Sequence, residues 1–200
     1  MSFSSKFRPS LNDQPPARKV EIDLNSPGLA VFELERLLFT GKAIINHADE
    51  VWPRLYIGDQ DSAMNVDQLA NHHVTHVINA NHSKQRDGSE IYKGTNIKYL
   101  GIEARDSSDF DMGVNFQRAA EFIHRALQGG GVVLVHCAVG VSRSATLVLA
   151  YLMLKQNLTL VDAICAVKDN RGIIPNRGFI RQLINLDTKL YGQLRKTFCT

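Results

Sequence analysis

A cysteine that directly follows a run of apolar residues is the first candidate for chemistry in this chain. Residues 132–135 read VVLV, His136 and Cys137 come next, and Arg143 opens a helix-like stretch. The short loop between Cys137 and Arg143 contains one glycine and consists of Ala138, Val139, Gly140, Val141 and Ser142. In a tight turn from strand to helix, the amide N–H groups face inward and the helix N-terminus adds positive potential. We therefore predict a site for phosphate or another tetrahedral oxyanion, with two oxygens held by the planar guanidinium of Arg143.

The same surroundings would make Cys137 a nucleophile. A thiol beside inward-facing amides, a helix N-terminus and an arginine has a lowered pKa and is a thiolate at neutral pH. We expect His136 to orient the loop by hydrogen bonding, and Ser144 to donate to the thiolate and help it leave later. The alternative is a small buried side chain without chemistry, the usual role of a cysteine after an apolar strand. The joint occurrence of the His-Cys pair, the glycine and the arginine argues against that alternative.

Composition limits the class of protein and its compartment. The 200 residues suffice for one domain with its own core, and the formal net charge of +3 without a long basic run does not indicate a nucleic-acid partner. Three scattered cysteines, Cys137, Cys165 and Cys199, fit a reducing compartment better than a disulfide framework. We see no signal-peptide core and no apolar run of membrane-spanning length. The expectation is a cytoplasmic or nuclear protein with no membrane partner.

The N-terminal part divides into an arm and a helix. Residues 1–25 are rich in proline and polar residues, which predicts a flexible arm, and residues 26–200 are predicted to form a single catalytic domain. A Ser-Pro pair at 26–27 predicts a helix start, and the helix is expected to end near Gly41. Its many large apolar residues either pack only on their own domain or also meet another chain, as in a homodimer.

Strands and helices alternate along the rest of the chain. Apolar runs predict strands at 54–58, 74–80, 97–102 and 132–135, and helical spacing predicts helices at 65–72, 114–128, 144–156, 160–170 and 178–195. This order predicts an α/β fold, a central and mostly parallel twisted sheet flanked by helices, with the phosphate-binding loop between a strand and a helix. Ligands of such sheets bind beyond the carboxyl ends of the strands, where Cys137 is expected.

Several segments resemble one enzyme family. HCAVGVSRSAT resembles the HCxxGxxRS signature of cysteine-dependent protein phosphatases, and LVLAYLM, FELERLLFTGK and RGIIPNRGF resemble the small atypical dual-specificity phosphatases. The resemblance implies hydrolysis of phosphotyrosine and phosphoserine or phosphothreonine through a phosphocysteine intermediate, without a metal or other cofactor. It implies phosphoproteins as partners, with mitogen-activated protein (MAP) kinases among the candidate substrates, although no docking element is evident in the sequence.

The resemblance also assigns a general acid and two residues near the pocket. The segment GIEARDSSDFDMG offers three aspartates, of which Asp106 aligns with the acid of the family, whereas Asp109 and Asp111 are interpreted as helix-start carboxylates. By resemblance Arg171 lies near the pocket and receives a second phosphate; the alternative is an ordinary surface arginine. Asn176 is expected to support the architecture of the pocket.

Other classes of protein share parts of this pattern. A phosphatase of a phosphoinositide or an RNA end is disfavoured because the loop carries no lysine. A silent module that only binds phosphoproteins, and a rhodanese or arsenate reductase, are disfavoured by the joint presence of the cysteine, the arginine and a correctly spaced aspartate. No metal site is expected, since no cysteine or acidic triad accompanies the one histidine cluster, which comprises His72, His73 and His76.

Overall fold

The computed structural model describes residues 22–24, 27–83 and 88–197. The predicted arm up to residue 21, the serine cap at position 26 and Cys199 therefore lie outside the described residues. Leu24, which the sequence assigned to the arm, is only 4% exposed and belongs to the hydrophobic core. The packed part of the chain thus includes a residue that precedes the predicted domain boundary.

The described residues form a central sheet of five strands in the order β1-β2-β5-β3-β4. Adjacent strands are parallel except for the antiparallel pair β1–β2. The strands are β1 (Ala48–Trp52), β2 (Leu55–Gly58), β3 (His76–Asn79), β4 (Lys98–Gly101) and β5 (Val133–His136). All four residues of β5 are buried, as expected for the middle of a parallel sheet. The predicted α/β fold with a mostly parallel sheet is confirmed.

Strand β1 was not predicted from the sequence. It forms a hairpin with β2 through a tight turn in which Arg54 has a φ of 61°. Two acidic residues, Asp49 and Glu50, interrupt its apolar pattern, so no strand was predicted there. Asp49 is nevertheless buried, because a buried arginine pairs with it from across the fold.

Seven α-helices surround the sheet in the described ranges. They are α1 (Pro27–Leu38), α2 (Gln60–Met64), α3 (Val66–Asn71), α4 (Phe116–Gln128), α5 (Arg143–Lys155), α6 (Leu160–Lys168) and α7 (Arg177–Thr197). Helix α5 is central, since it packs against α4, α6 and α7 and is buried from Arg143 to Met153. A helix that is apolar all round is expected to be enclosed on every side. Among the described helices, none combines the length and the apolar character that crossing a membrane requires.

Helix α1 is attached to the rest of the domain on one face only. Ala30, Leu34 and Leu38 are buried, whereas Leu29 and Phe32 are 54% and 55% exposed. The carboxylate of Glu35 accepts hydrogen bonds from the guanidinium of Arg177 at 2.7 Å and 3.1 Å, which fastens α1 to the first residue of α7. Helix α1 thus packs on its own domain and also exposes apolar side chains, and contact with another chain stays a prediction.

Candidate active site

The loop between β5 and α5 lies at the carboxyl end of the central strand. Its backbone turns at Gly140, whose φ of 76° belongs to the left-handed region that glycine adopts without strain. A Cβ atom at this position would collide with the carbonyl group of Gly58, at the end of the neighbouring strand β2. The sequence therefore needs a glycine here both for the backbone angle and for the close packing of the loop on the sheet.

The thiol of Cys137 lies at the base of this loop. The residue is 2% exposed, the N–H of Gly140 donates to Sγ at 3.2 Å, and the Ser144 hydroxyl lies 3.3 Å from Sγ. Burial acts to raise the pKa of the thiol, but the hydrogen bonds from Ser144 and Gly140 and the charge of Arg143 outweigh it. The pKa of Cys137 is therefore lowered, which is the physical condition for a thiolate nucleophile.

His136 is buried beside the cysteine and contacts its backbone. Its Nδ1 atom lies 3.4 Å from the carbonyl oxygen of Cys137, and the residue is 5% exposed. Burial lowers the pKa of His136 to about 4, so the imidazole is neutral at physiological pH. The contact agrees with the expected orienting role, because a neutral ring can hydrogen-bond the loop without adding a charge next to the thiol.

Arg143 is aimed by two residues that come from other strand ends. Its Nη1 group donates to Oδ1 of Asn81 at 2.5 Å and to the carbonyl oxygen of Ala104 at 3.1 Å. Its Nε group is buried, has no hydrogen-bond partner among the described residues and lies 3.9 Å from Oδ2 of Asp106. Asn81 was not predicted as a site residue. Its position two residues after the end of β3, at the edge where ligands bind, was the available signal.

Among the three candidate aspartates, the structure brings Asp106 to the loop. Its Oδ1 accepts hydrogen bonds from the hydroxyl of Ser142 at 2.7 Å and from Nδ2 of Asn176 at 2.8 Å. Asp109 is an exposed partner of Arg105, at 3.8 Å, and lies outside this network. The amide of Asn176 agrees with its expected supporting role, since its Oδ1 also accepts from the N–H of Phe179 and caps α7.

Arg171 requires a correction. The sequence left it as either a receiver of a second phosphate or a surface arginine, yet the residue is 0% exposed and lies beneath the loop. Its Nε donates to the carbonyl of Gly140 at 2.8 Å, and its Nη2 to that of Val139 at 3.3 Å. Its Nη1 donates to Oδ2 of Asp49 at 2.7 Å and to the carbonyl of Asn46 at 2.8 Å. A guanidinium enclosed in this way cannot meet substrate.

The buried guanidinium of Arg171 explains why the N–H groups of Gly140 and Val141 point away from it. In a planar trans peptide, the C=O and N–H groups point in opposite directions. Drawing the carbonyl of Val139 toward Arg171 therefore turns the N–H of Gly140 away from it, and that N–H donates to the cysteine sulfur. Drawing the carbonyl of Gly140 toward Arg171 likewise turns the N–H of Val141 to the opposite side, where an anion would bind.

The histidine cluster foreseen in the sequence is not the group of described residues whose possible metal-ligand atoms lie close together. His47, Asp59 and Asp61 offer three ligand atoms within 4.8 Å of one another. Asp59 is already engaged, since one oxygen caps α2 and the other lies 2.7 Å from Nδ1 of His47. Of the cluster foreseen in the sequence, His76 packs its ring edge-on against Phe122.

A buried cysteine with a lowered pKa, in a glycine-containing loop between the central strand and α5, is the arrangement expected for the cysteine-dependent phosphatases that the sequence resembles. Comparison with known proteins agrees. Residues 55–189 match the model of the family described as dual specificity phosphatase, catalytic domain. Human dual specificity protein phosphatase 26 is 59% identical over 195 residues, which cover 95% of this chain and 92% of that protein. The protein of the same name from Bos taurus is 63% identical over 179 residues, covering 89% and 82%.

A solved structure shows the same fold. The crystal structure of human DUSP28 superposes with a TM-score of 0.65 at 28% identity, and the match covers 76% of this chain and 97% of that one. The chain belongs to the dual specificity phosphatase family and is a protein tyrosine/serine/threonine phosphatase. The resemblance noted in the signature segments is thereby confirmed.

Proposed function

We propose that this phosphatase works through a phosphocysteine formed on Cys137, with Asp106 as general acid and then general base. The observation that carries the proposal is the buried sulfur of Cys137, which accepts a hydrogen bond from the N–H of Gly140 at 3.2 Å and lies 3.3 Å from the hydroxyl of Ser144. These contacts and the charge of Arg143 outweigh burial and lower the pKa of the thiol. A buried thiol without chemistry needs no such stabilisation of its charged form, whereas a nucleophilic thiolate does.

In the first step, the thiolate attacks phosphorus in line with the leaving oxygen. The Sγ–P bond forms, the P–O bond to the substrate breaks, and Asp106 gives its proton to the leaving oxygen. In the second step, a water oxygen attacks phosphorus and loses its proton to Asp106, while the Sγ–P bond breaks and returns its electron pair to sulfur. Inorganic phosphate leaves. The Ser144 hydroxyl, 3.3 Å from Sγ, supports this departure by donating to the returning thiolate.

The phosphoryl oxygens would be held by the loop and by Arg143. We assign the backbone of Ala138, Val139, Gly140, Val141 and Ser142 to this role, since donors that are fixed in advance stabilise charge as it develops in the transition state. Arg143 supplies a planar pair of donors, and its hydrogen bonds to Asn81 and Ala104 support a fixed orientation. His136 is proposed to orient the loop, and Arg171 is not proposed to bind substrate.

The partners and the location are proposals as well. Phosphoproteins are the substrates of the family, and MAP kinases are proposed among them on the resemblance alone. A cytoplasmic or nuclear location is proposed because a catalytic thiolate persists in a reducing compartment, and imaging of a tagged chain in cells would test it. A homodimer through α1 is supported by the outward-facing side chains of Leu29 and Phe32.

Two other functions remain as outcomes of the test. A non-protein phosphoester would use the same loop, but the side chains of Ala138, Val139 and Val141 offer no charge to a second phosphate. A silent binding module would need the loop without its chemistry, whereas Cys137 and Arg143 are both present in it.

The test compares Cys137→Ser and Asp106→Asn with the wild type, and Asp109→Asn serves as the matched control on the same segment. Substrates are phosphotyrosine and phosphothreonine peptides, a doubly phosphorylated MAP kinase and a phosphoinositide. Cys137→Ser is expected to abolish turnover and the phosphorylated enzyme seen by mass spectrometry after rapid quenching. Asp106→Asn is expected to lower kcat by about 10²–10⁴-fold, the usual contribution of a general acid. Asp109→Asn is expected to keep activity near wild type.

Each contrary result would contradict one part of the proposed function. Turnover by Cys137→Ser with a normal circular dichroism spectrum would remove the nucleophile. A larger loss with Asp109→Asn than with Asp106→Asn would mean that the wrong carboxylate is named. Faster turnover of the phosphoinositide than of every phosphoprotein would favour the non-protein substrate, and tight binding without turnover would favour the silent module.

A further inference from the structure

The segment that carries Asp106 is attached to α7 by a single side chain at its far end. The N–H of Gly113 donates to Oε1 of Gln182 at 2.9 Å, and Nε2 of Gln182 donates to the carbonyl oxygen of Phe110 at 2.8 Å. One amide group thus uses both its acceptor and its donor on the same four-residue stretch. An amide is the neutral side chain that offers both functions side by side, so the pairing fixes the separation and direction of the two backbone groups.

The near end of the same segment also rests on α7. Asn176, which caps the helix, donates to Oδ1 of Asp106 at 2.8 Å. Between the two ends, the backbone of Ser108 lies so close to Gly178 that a Cβ atom at position 178 would collide with the carbonyl of Ser108. The cap of α7 and two positions in its first two turns, Gly178 and Gln182, therefore contact the segment at its start, middle and end, while Ser142 of the loop after β5 also holds Asp106.

We propose that Gln182 is a positioning residue for the general acid. It touches neither substrate nor sulfur. Its amide holds Phe110 and Gly113 on α7 and so keeps the preceding residues of the segment, Asp106 included, over the loop that contains Cys137. The inference rests on the proposed function, because it requires Asp106 to be the acid.

The geometry explains why this role falls to Gln182 rather than to the buried anchor of the segment. Met112 is 0% exposed and fixes where the chain enters the core, but an apolar anchor restrains position more than direction. The hydrogen bonds of Gln182 add direction, since their strength falls steeply when donor and acceptor are misaligned. Proton transfer is sensitive to such direction, because the acid must reach the leaving oxygen at hydrogen-bond distance.

The experiment measures how the effect of a substitution depends on the leaving group. A good leaving group needs little help from an acid, so loss of the acid slows phenyl phosphate more than para-nitrophenyl phosphate. We expect Gln182→Leu, which keeps the side chain similar in size, to lower kcat/KM, which reports on the first step, by about tenfold or more on phenyl phosphate and by less than about threefold on para-nitrophenyl phosphate. We expect competitive inhibition by inorganic phosphate to stay within about twofold of wild type, since the loop and Arg143 are untouched.

The controls use the same helix and the same acid. Arg181→Ala removes the neighbouring side chain, which faces α1 rather than the acid segment, and is expected to leave both substrates unaffected. In an Asp106→Asn background, Gln182→Leu is expected to add no further loss, since two residues that act through one group are not additive. Hydrogen exchange in the wild type is expected to show a protected Gly113 amide, a measurement that holds even if a variant folds poorly.

The outcomes separate this inference from the proposed function. If Asp106→Asn shows the leaving-group dependence and Gln182→Leu slows both substrates equally or neither, Gln182 has no positioning role. If Asp106→Asn itself lacks that dependence, the assignment of the acid fails instead. A further loss in the double variant, or fast exchange of the Gly113 amide in the wild type, would also overturn the inference.

Discussion

Substitution of Asp49 tests whether the buried ion pair beneath the loop holds the active site together. The carboxylate lies 2.7 Å from Nη1 of Arg171, and the side chains of the two residues are 5% and 0% exposed. Removing the carboxylate in Asp49→Ala leaves the guanidinium of Arg171 buried with backbone carbonyls as its only described partners. The carbonyls satisfy hydrogen bonds but carry no full negative charge, so the charge of Arg171 is left uncompensated.

The expected loss of stability is large compared with that of an exposed pair. Removing one partner of a buried pair costs about 3–5 kcal/mol, out of a total of about 5–15 kcal/mol for a folded domain. Lys42→Ala is the matched control, because Nζ of Lys42 contacts the same carboxylate at 3.2 Å but its side chain is 37% exposed. A pair that is partly in water contributes about 0.2–1 kcal/mol. The two substitutions therefore differ several-fold although they affect one carboxylate.

The dependence on pH has a definite sign. Burial acts to raise the pKa of Asp49, but hydrogen bonds from Asn46, Lys42 and Arg171 outweigh it, so the pKa lies below its ordinary value of 3.8. A carboxyl group whose pKa is lowered by folding contributes stability above its unfolded pKa and loses it as the pH falls through the folded pKa. We therefore expect the difference in stability between wild type and Asp49→Asn to be constant from neutral pH down to about pH 5 and to shrink below about pH 4.

The assay is urea denaturation followed by circular dichroism, with kcat and phosphate inhibition measured on the same samples. Asp49→Ala should lower the free energy of unfolding at an unchanged m-value, and weaken phosphate inhibition because the carbonyls of Val139 and Gly140 lose their fixed donor. A loss of less than about 1 kcal/mol, equal to that of Lys42→Ala, would refute the reasoning about the buried charge. A destabilised variant with unchanged phosphate inhibition would separate stability from the orientation of the loop.

Two further predictions concern oxidation and assembly. Peroxide should inactivate the enzyme at Cys137 before it modifies Cys165, because the pKa of Cys137 is lowered whereas burial raises that of Cys165. Vanadate bound in the loop should slow this loss of activity, and a thiol reductant should reverse it at early times. Peptide mapping that finds another cysteine modified first would contradict the prediction. If α1 mediates a homodimer, sedimentation velocity should show a species of twice the monomer mass whose fraction rises with protein concentration. The double variant Leu29→Ser/Phe32→Ser should lose this species. A wild-type protein that stays monomeric at every concentration would exclude the homodimer.

The sequence predicted the parts of the site that are local. The strand, the cysteine, the glycine and Arg143 follow one another without interruption, so spacing and residue type were enough to propose an anion-binding loop before α5. Secondary structure was predictable for the same reason wherever apolar periodicity was regular, as in α4 and β5. The parallel sheet then followed from the alternation of strands and helices.

The sequence did not predict the residues that act through distant partners. Arg171 was predicted to be a surface or ligand-binding side chain because nothing in the sequence showed its partner. That partner, Asp49, lies in a strand that the charged residues kept from being predicted. Asn81 and Gln182 are polar residues without a recognisable motif. Their contacts with Arg143 and with the acid segment form only in the folded structure. Pairing between segments far apart in the chain leaves no periodic signal, so only the folded structure could identify these contacts.

These distant contacts bear on what the signature segment alone can establish. The loop contains the groups that would meet phosphate, but the direction of its amides depends on Arg171, and the direction of Arg143 depends on Asn81. Two elements outside the signature contribute: Asp49 of β1 contacts the loop through Arg171, and Gln182 of α7 contacts the acid segment. A chain that kept the signature and lost either support would be expected to fold with the cysteine in place and to turn over poorly. A signature of this kind therefore indicates the family, and we expect the contacts of the flanking elements to decide how fast the enzyme turns over.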